Sequence, residues 1–350
     1  MENLNLEDLY FNFINKNFKP YQPRIFKLYH KLESFKDLYF KLLEDKNNIG
    51  GINLDLERRE LENLKVKILK FKDAEYPNSL KNIDNPPLGL YLLGNIDLIK
   101  NPNLSLAIVG TRKPSNYGTL ITNKFASQLS ELGITIISGL AYGIDTFAHK
   151  STFNNEGKTI AVLGEGIGIA LKSDKGNLIK KILENNGLII SEFSPFTTAL
   201  PYHFPLRNRI IAALSDGVLI IEAPINSGSL ITANYSLKFG KEIFVIPGEI
   251  TNKNFEGSHN LIKQGAKLVT SIDDILSEFN FNYDLKNKLI NIKLSPQEEL
   301  IYECLKLGAK SIEEINKETK LSISDLLVIL THMEIKKIIK NKEGKFYLIN

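Results

Sequence analysis

Residues 104–112 read Leu104-Ser105-Leu106-Ala107-Ile108-Val109-Gly110-Thr111-Arg112, an apolar run that ends on a glycine and an arginine. Leu106–Val109 shows no polar alternation, the pattern of a strand covered on both faces. Five more runs of the same kind lie downstream: Ile134–Ile137, Thr159–Leu163, Leu188–Ile190, Val218–Ile221 and Ile243–Ile246. Each leads into a stretch of helical spacing about 10–15 residues long, which implies right-handed crossovers and a parallel sheet. Six such units in about 165 residues predict an α/β fold, a Rossmann-like doubly wound parallel sheet. Ligands of such sheets sit outside the carboxyl ends of the strands, where this chain places its Gly, Arg and Ser clusters.

Outward of this block, the first 70 residues carry helical spacing, as in Ile25-Phe26-Leu28-Tyr29-Leu32, interrupted by Gly50-Gly51. A helical N-terminal domain is expected over 1–75. The turn-rich stretch Tyr76-Pro77 to Pro86-Pro87 and the apolar run Gly89–Gly94 read as a connector docked on the strand-rich segment. The Rossmann-like domain is expected over 76–279, succeeded by an Asn/Lys-rich linker, 280–293. In the last segment, 294–350, amphipathic patches near 296–307, 311–317 and 322–334 precede a strand, a Lys/Gly turn and a second strand. Three helices and a hairpin predict a winged-helix-like domain.

Of 350 residues, 43% are hydrophobic and 24% charged, which excludes a mainly disordered chain. Net charge is only +4, too weak by itself to mark a nucleic-acid binder. Its placement says more: residues 101–270 hold 16 basic against 12 acidic groups, and 17 of the 23 glycines. No apolar run reaches about 18 residues, so no membrane helix is expected. The opening MENLNLEDLY lacks a basic region leading into an apolar block. The single Cys304 excludes an internal disulfide and Cys-rich zinc sites. A cytoplasmic setting is expected.

Several motifs fail on inspection. Glu156-Gly157-Lys158-Thr159 resembles the end of a P-loop, but Thr152 stands where its first glycine belongs, and the match precedes a strand. Gly164-Glu165-Gly166-Ile167-Gly168 lacks the dinucleotide spacing and lies on the third strand, so it reads as a turn. The five histidines are scattered, and there is no nucleophile elbow. No catalytic residue, metal site or cofactor is expected.

What remains is a layout for anions. Gly110-Thr111-Arg112 precedes a helix starting near Tyr117, whose first N–H groups and dipole favour negative charge. Arg112 adds a planar fork suited to phosphate, although pairing with a local carboxylate answers equally to the spacing. In Phe204-Pro205-Leu206-Arg207-Asn208-Arg209 the two arginines diverge on a helix, which suits a strand of phosphates better than one small anion. Phe204 can stack on a base or pack into the helix entrance. Ser227-Gly228-Ser229 forms a polar cradle or simply caps a helix. Ser138-Gly139-Leu140-Ala141-Tyr142-Gly143-Ile144-Asp145 is a glycine-bracketed turn in which Asp145 braces the loop or does chemistry.

These stretches, taken in order, resemble the DprA/Smf family of DNA-processing proteins. The resemblance runs through Ala107–Arg112 with Tyr117-Gly118, Ser138–Asp145 with Ala148-His149, and Thr159–Gly164. It continues through Ser191-Glu192, Phe204–Ile211, Glu222–Ala233, Pro247-Gly248 and Gly257–Ala266, covering roughly 76–275. It implies a non-enzymatic protein of natural transformation that binds incoming single-stranded DNA, protects it and helps load the RecA recombinase. It also implies a homodimer. By motif, Arg112, Phe204, Arg207, Asn208 and Arg209 would form a basic DNA pocket lined by Ser138, Gly139, Ser227, Gly228 and Ser229. The chain departs from the pattern after the third strand, in Gly168–Lys175, and Tyr142 stands where an arginine is common. No lysine precedes Phe204; Lys172, Lys175 and Lys241 are the cations that can compensate, and Lys241 is counted with the pocket.

Two other classes fit parts of the sequence. A phosphoribohydrolase-like enzyme would need a Pro-Gly-Gly-x-Gly-Thr loop, and the chain offers Pro247-Gly248-Glu249. A nucleotide-sensing winged-helix regulator would need a basic recognition helix, whereas 322–334 holds only Asp325, His332 and Glu334 as ionisable groups. The tail is therefore expected to contact protein or to regulate.

Overall fold

The computed structural model describes residues 4–19, 22–44, 51–100, 104–279, 294–306, 308–335, 338–342 and 344–348. The linker expected at 280–293 lies outside the described residues. The chain divides into two compact units, Met1–Phe281 and Asn282–Asn350.

All six expected strands form, within a residue or so of their apolar runs. They are β3 (Ser105–Val109), β4 (Thr135–Ser138), β5 (Thr159–Leu163), β6 (Leu188–Ser191), β7 (Gly217–Ile220) and β8 (Glu242–Val245). They belong to a larger sheet of order β1-β2-β6-β5-β4-β3-β7-β8-β9, with β1 (Lys67–Lys70), β2 (Gly89–Gly94) and β9 (Lys267–Leu268) at its margins. Strands β3 to β9 run parallel, whereas β2 pairs antiparallel with β6 and with β1. The run Gly89–Gly94, read as a connector, is thus a sheet strand, and β1 interrupts the segment read as helical. Short strands in an antiparallel hairpin carry no signal beyond a few apolar residues.

Sheet burial explains the apolar runs. On β5, Ala161 packs in one core cluster while Ile160 and Val162 pack in the other; on β6, Ile189 and its neighbours Leu188 and Ile190 divide the same way. Helices α1 (Leu6–Phe18), α2 (Pro23–His30), α3 (Phe35–Glu44) and α4 (Leu54–Leu64) share the first cluster with the sheet through Tyr91. Asn5 starts α1 with a reciprocal capping box to Asp8. Phe11 then meets Phe35 edge to face, and Phe35 stacks on Tyr29, with centroids 5.1 and 4.3 Å apart. The Tyr91 hydroxyl donates to Asn12 Oδ1 (2.8 Å), and Asn12 donates to the buried Glu57 (2.6 Å).

Two single-turn helices, α5 (Asn78–Lys81) and α6 (Asp97–Lys100), flank β2 in the chain. From β3 the chain winds through α7 (Asn116–Glu131) to β4, then through α8 (Ile144–Asn154) to β5. The β5–β6 crossover carries α9 (Ile167–Lys172) and α10 (Gly176–Glu184). It then returns by α11 (His203–Leu214) to β7, on the other side of β3, and by α12 (Gly228–Lys238) to β8. The winding direction reverses at β3 and β7. The crevice above their carboxyl ends is the topological switch point of the sheet.

In the second unit, helices Pro296–Lys306, Ile312–Thr319 and Ile323–Ile335 pack around Ile301, Leu305, Ile315, Leu326, Leu330 and Met333. Strands β10 (Lys310–Ser311), β11 (Ile339–Lys342) and β12 (Lys345–Leu348) form an antiparallel sheet of order β10-β12-β11. The order of helices and hairpin is the one the sequence predicts.

Candidate nucleic-acid interface

The N-terminus of α7 opens at the switch point, and the protein fills it with its own anion. Glu222, fully buried just after β7, accepts from the Ser115 backbone N–H (2.9 Å), the Ser115 hydroxyl and Asn254 Nδ2 (3.1 Å). Its backbone carbonyl accepts from Thr111 N–H (2.8 Å). Ser115 in turn caps α7 by accepting from Gly118 N–H (3.0 Å). A methyl group at Gly118 would sit 2.5 Å from the Glu222 carboxyl carbon, so only glycine permits this approach. The helix terminus expected to receive an external anion is therefore occupied.

Arg112, one turn earlier, is exposed and makes no ion pair within 4.0 Å among the described residues. Its guanidinium lies over the Phe204 ring, 5.2 Å from the centroid. Phe204 is half-buried near the start of α11, and its ring rests on Gly164 at the end of β5, where a methyl group would come within 2.9 Å of the ring. The glycine cluster 164–168, read as a bare turn, is what admits this ring. The structure thus joins Arg112 and Phe204 into one solvent-facing surface of cation and aromatic face.

The other two arginines, expected with Arg112 in the basic DNA pocket, face inward. Arg207 is 4% exposed and Arg209 2%. Arg207 donates through Nη1 to the carbonyls of Gly139 and Val162, and through Nε to Asn208 Oδ1 (3.0 Å). Burial lowers its pKa to about 10, against the raising effect of Asp145 nearby. Arg209 points the opposite way and pairs with buried Glu192 (2.6 Å). The divergence read from their two-residue spacing holds, but each charge is spent on tying loops together.

The remaining expected residues brace the same loops. Ser138 is buried and donates to the Ile108 carbonyl (2.6 Å). Gly139 N–H donates to Asp145 Oδ2 (3.1 Å), so Asp145 takes the bracing role among the alternatives. Burial raises the Asp145 pKa, while Arg207 and the backbone donors oppose it. Asn208 Nδ2 donates to the Gly228 carbonyl (3.1 Å), tying α11 to α12. Ser227 caps α12, sharing a hydroxyl–hydroxyl bond with buried Ser229 (2.7 Å), while Gly228 stays exposed. Lys241 is misplaced in the expected pocket: it precedes β8, so it lies at the amino ends of the parallel strands, across the sheet from Arg112. Of the other cations, Lys175 is paired with Glu165 (2.9 Å), and Lys172 lies over the Phe196 ring (5.6 Å).

Sequence reasoning missed the Glu222–Ser115–Asn254 network, because its members are far apart in the chain. It also missed His149, which is fully buried with Nδ1 bonded to Thr159 Oγ1 (2.7 Å). Burial and the Arg207 charge push its pKa down to about 3. Among the described residues no cluster of His, Cys, Asp or Glu could hold a metal ion, and no helix is long and apolar enough to cross a membrane.

Known proteins match this chain over the same region. Residues 67–280, more than half the chain, match the family described as DNA recombination-mediator protein A. The DNA processing protein DprA of Streptococcus pneumoniae is 44% identical over 209 residues, 60% of this chain and 73% of that protein. Protein Smf of Escherichia coli is 43% identical over 210 residues, 60% of this chain and 56% of that protein's length. Among solved structures, Streptococcus pneumoniae DprA superposes with a TM-score of 0.63 at 32% identity, covering 80% of this chain and 99% of that one. DNA processing protein A from Helicobacter pylori, whose structure is described by its single-stranded DNA binding mode, gives a TM-score of 0.55 at 29% identity, covering 62% of this chain and 98% of that one. With its fold and its matching span in agreement, the chain belongs to the DprA/Smf family of DNA-processing proteins.

Proposed function

We propose that this protein binds single-stranded DNA without catalysing a reaction on it, protects the strand, and helps load RecA recombinase during natural transformation. The observation that carries the reading is the exposed Arg112 guanidinium stacked on Phe204 at the carboxyl edge of the sheet. A cation beside a flat apolar ring offers a phosphate contact and a base platform together, the sequence-tolerant pattern of single-strand binders. Arg207, Asn208, Arg209, Ser138, Gly139 and the 227–229 loop support this surface by fixing its loops. Glu222, the buried carboxylate of the switch point, is fully engaged by donors from its own chain. The Helicobacter pylori relative, with its described single-strand binding mode, supports the ligand class. A homodimer and a cytoplasmic location go with this reading, as does the division into 1–75, 76–279 and a winged-helix-like 294–350. The helix Ile323–Ile335 exposes Ile323, Leu327 and Val328, which favours protein contact for the tail over groove reading.

The test is fluorescence anisotropy of the full chain with labelled single strands and duplexes across a salt series. Preferential single-strand binding with a steep log–log salt dependence is expected. Equal affinity for duplex, or a flat salt response, would remove the reading.

A further inference from the structure

The surface at Arg112 and Phe204 has a second copy of its own geometry two loops away. Phe196, in the loop after β6, is 39% exposed, and its ring rests on Gly168, where a methyl group would come within 2.9 Å of the ring. Lys172, the last residue of α9, lies over that ring with Nζ 5.6 Å from the centroid. Phe204 against Gly164 with Arg112 over its ring, and Phe196 against Gly168 with Lys172 over its ring, bring together the same three groups: an aromatic ring, a glycine and a cation.

The Phe196 loop is held rigidly. Asn15 of α1 donates to the Glu192 carbonyl (2.8 Å) and accepts from Ser194 N–H (2.8 Å). Gly166 N–H donates to the Thr197 carbonyl (2.8 Å), and Ile169 N–H to that of Pro195 (3.1 Å). The Ser194 and Thr197 hydroxyls bond each other (2.7 Å). An exposed phenyl ring on a loop fixed this firmly costs little conformational entropy when something stacks on it. Phe193 in the same loop is buried, whereas Phe196 keeps part of its ring open to solvent.

The positions line up along one edge. Arg112 lies in the loop after β3, Gly164 directly after β5, and Phe196 in the loop after β6, and the strand order is β6-β5-β4-β3. Three strand spacings of about 4.8 Å, roughly 14 Å, separate β3 from β6.

We infer that Phe196 and Lys172 form a second stacking platform for single-stranded DNA, so that the strand runs from Arg112 and Phe204 along the carboxyl edge of the sheet to β6. This rests on the single-strand reading above and adds residues to it. The chain contains no tryptophan, so Phe196→Trp creates a sole reporter at the platform. In the full chain, an oligothymidylate of about twenty nucleotides should quench its emission in step with the anisotropy curve, and an abasic strand of equal length should not. Phe196→Ala should weaken binding by about fivefold or more with an unchanged melting temperature, and Phe196→Tyr should restore it. Lys172→Ala should make the salt slope shallower by up to about one unit. If Arg112→Ala weakens binding while Phe196→Ala does not and the tryptophan stays silent, the second platform is wrong and the first stands. If neither Arg112→Ala nor Phe204→Ala changes the affinity, the single-strand reading falls and takes this platform with it.

Discussion

Arg112, Arg207 and Arg209 share a charge but not a task, and their surroundings separate them. Arg112→Ala removes only a solvent-facing contact. It should weaken single-strand binding by about 1–3 kcal/mol in an anisotropy titration, with Arg112→Lys recovering part of the loss, because charge returns without the planar fork. Arg207→Ala would act on the fold first. Asp145 would lose the buried positive charge beside it, and the Gly139 and Val162 carbonyls would lose their donor. A loss of about 3–5 kcal/mol in denaturant unfolding is expected, the range for breaking one side of a buried charged arrangement. If Arg207→Ala keeps full stability and loses only affinity, its bracing role is wrong.

Among the elements, α7 depends most on a residue distant in sequence. Its cap, Ser115, both accepts from Gly118 N–H and donates to Glu222, so one hydroxyl closes the helix and neutralises a buried acceptor. Ser115→Ala should cost about 1–2 kcal/mol by thermal or denaturant unfolding, the upper range for a lost cap, since the carboxylate is left short of a donor as well. Helix α1 is the second such case. Its Asn15 bonds Glu192 and Ser194 at the start of the loop after β6. Asn15→Ala should raise hydrogen exchange in residues 192–197 while leaving β3 to β5 protected, because that loop opens locally without the sheet.

For the molecule as a whole, acid should be the weak side. His149 is buried neutral with its pKa lowered from 6.5 to about 3, so the unfolded chain binds a proton there that the native chain does not. The stability this represents is present above about pH 6.5 and is lost as pH falls toward 3, at up to about 1.4 kcal/mol per pH unit. Asp145, its carboxyl pKa raised by burial, works in the opposite sense at the acid end and offsets part of the loss. Urea unfolding at a series of pH values should show this slope, and His149→Gln should flatten it. A slope unchanged in the variant would place the acid sensitivity elsewhere. Sedimentation at micromolar concentration should show the dimer that accompanies the proposed function, and a purely monomeric chain would remove that part.

The sequence by itself determined the six-stranded parallel core of the sheet. Six short runs without polar alternation, recurring between stretches of helical spacing, fit strands buried on both sides, and that alternation is what gives a parallel order. It also determined that Arg207 and Arg209 diverge, because helical period is local. It could not show which way either faces, since that depends on Glu192 and on carbonyls from the ends of β4 and β5 that meet α11 only after folding. The same limit hid Glu222 at the start of α7, a contact between residues 107 positions apart. The four-residue hairpin strand β1 was invisible because its pattern is shorter than any period that could identify it. Lys241 was drawn into the pocket by its charge, and only the direction of β8 put it at the far end of the sheet. Periodicity and sterics act along the chain and are readable there; burial, pairing and which end of a strand a loop occupies are set by partners remote in sequence, and the tertiary structure alone decided them.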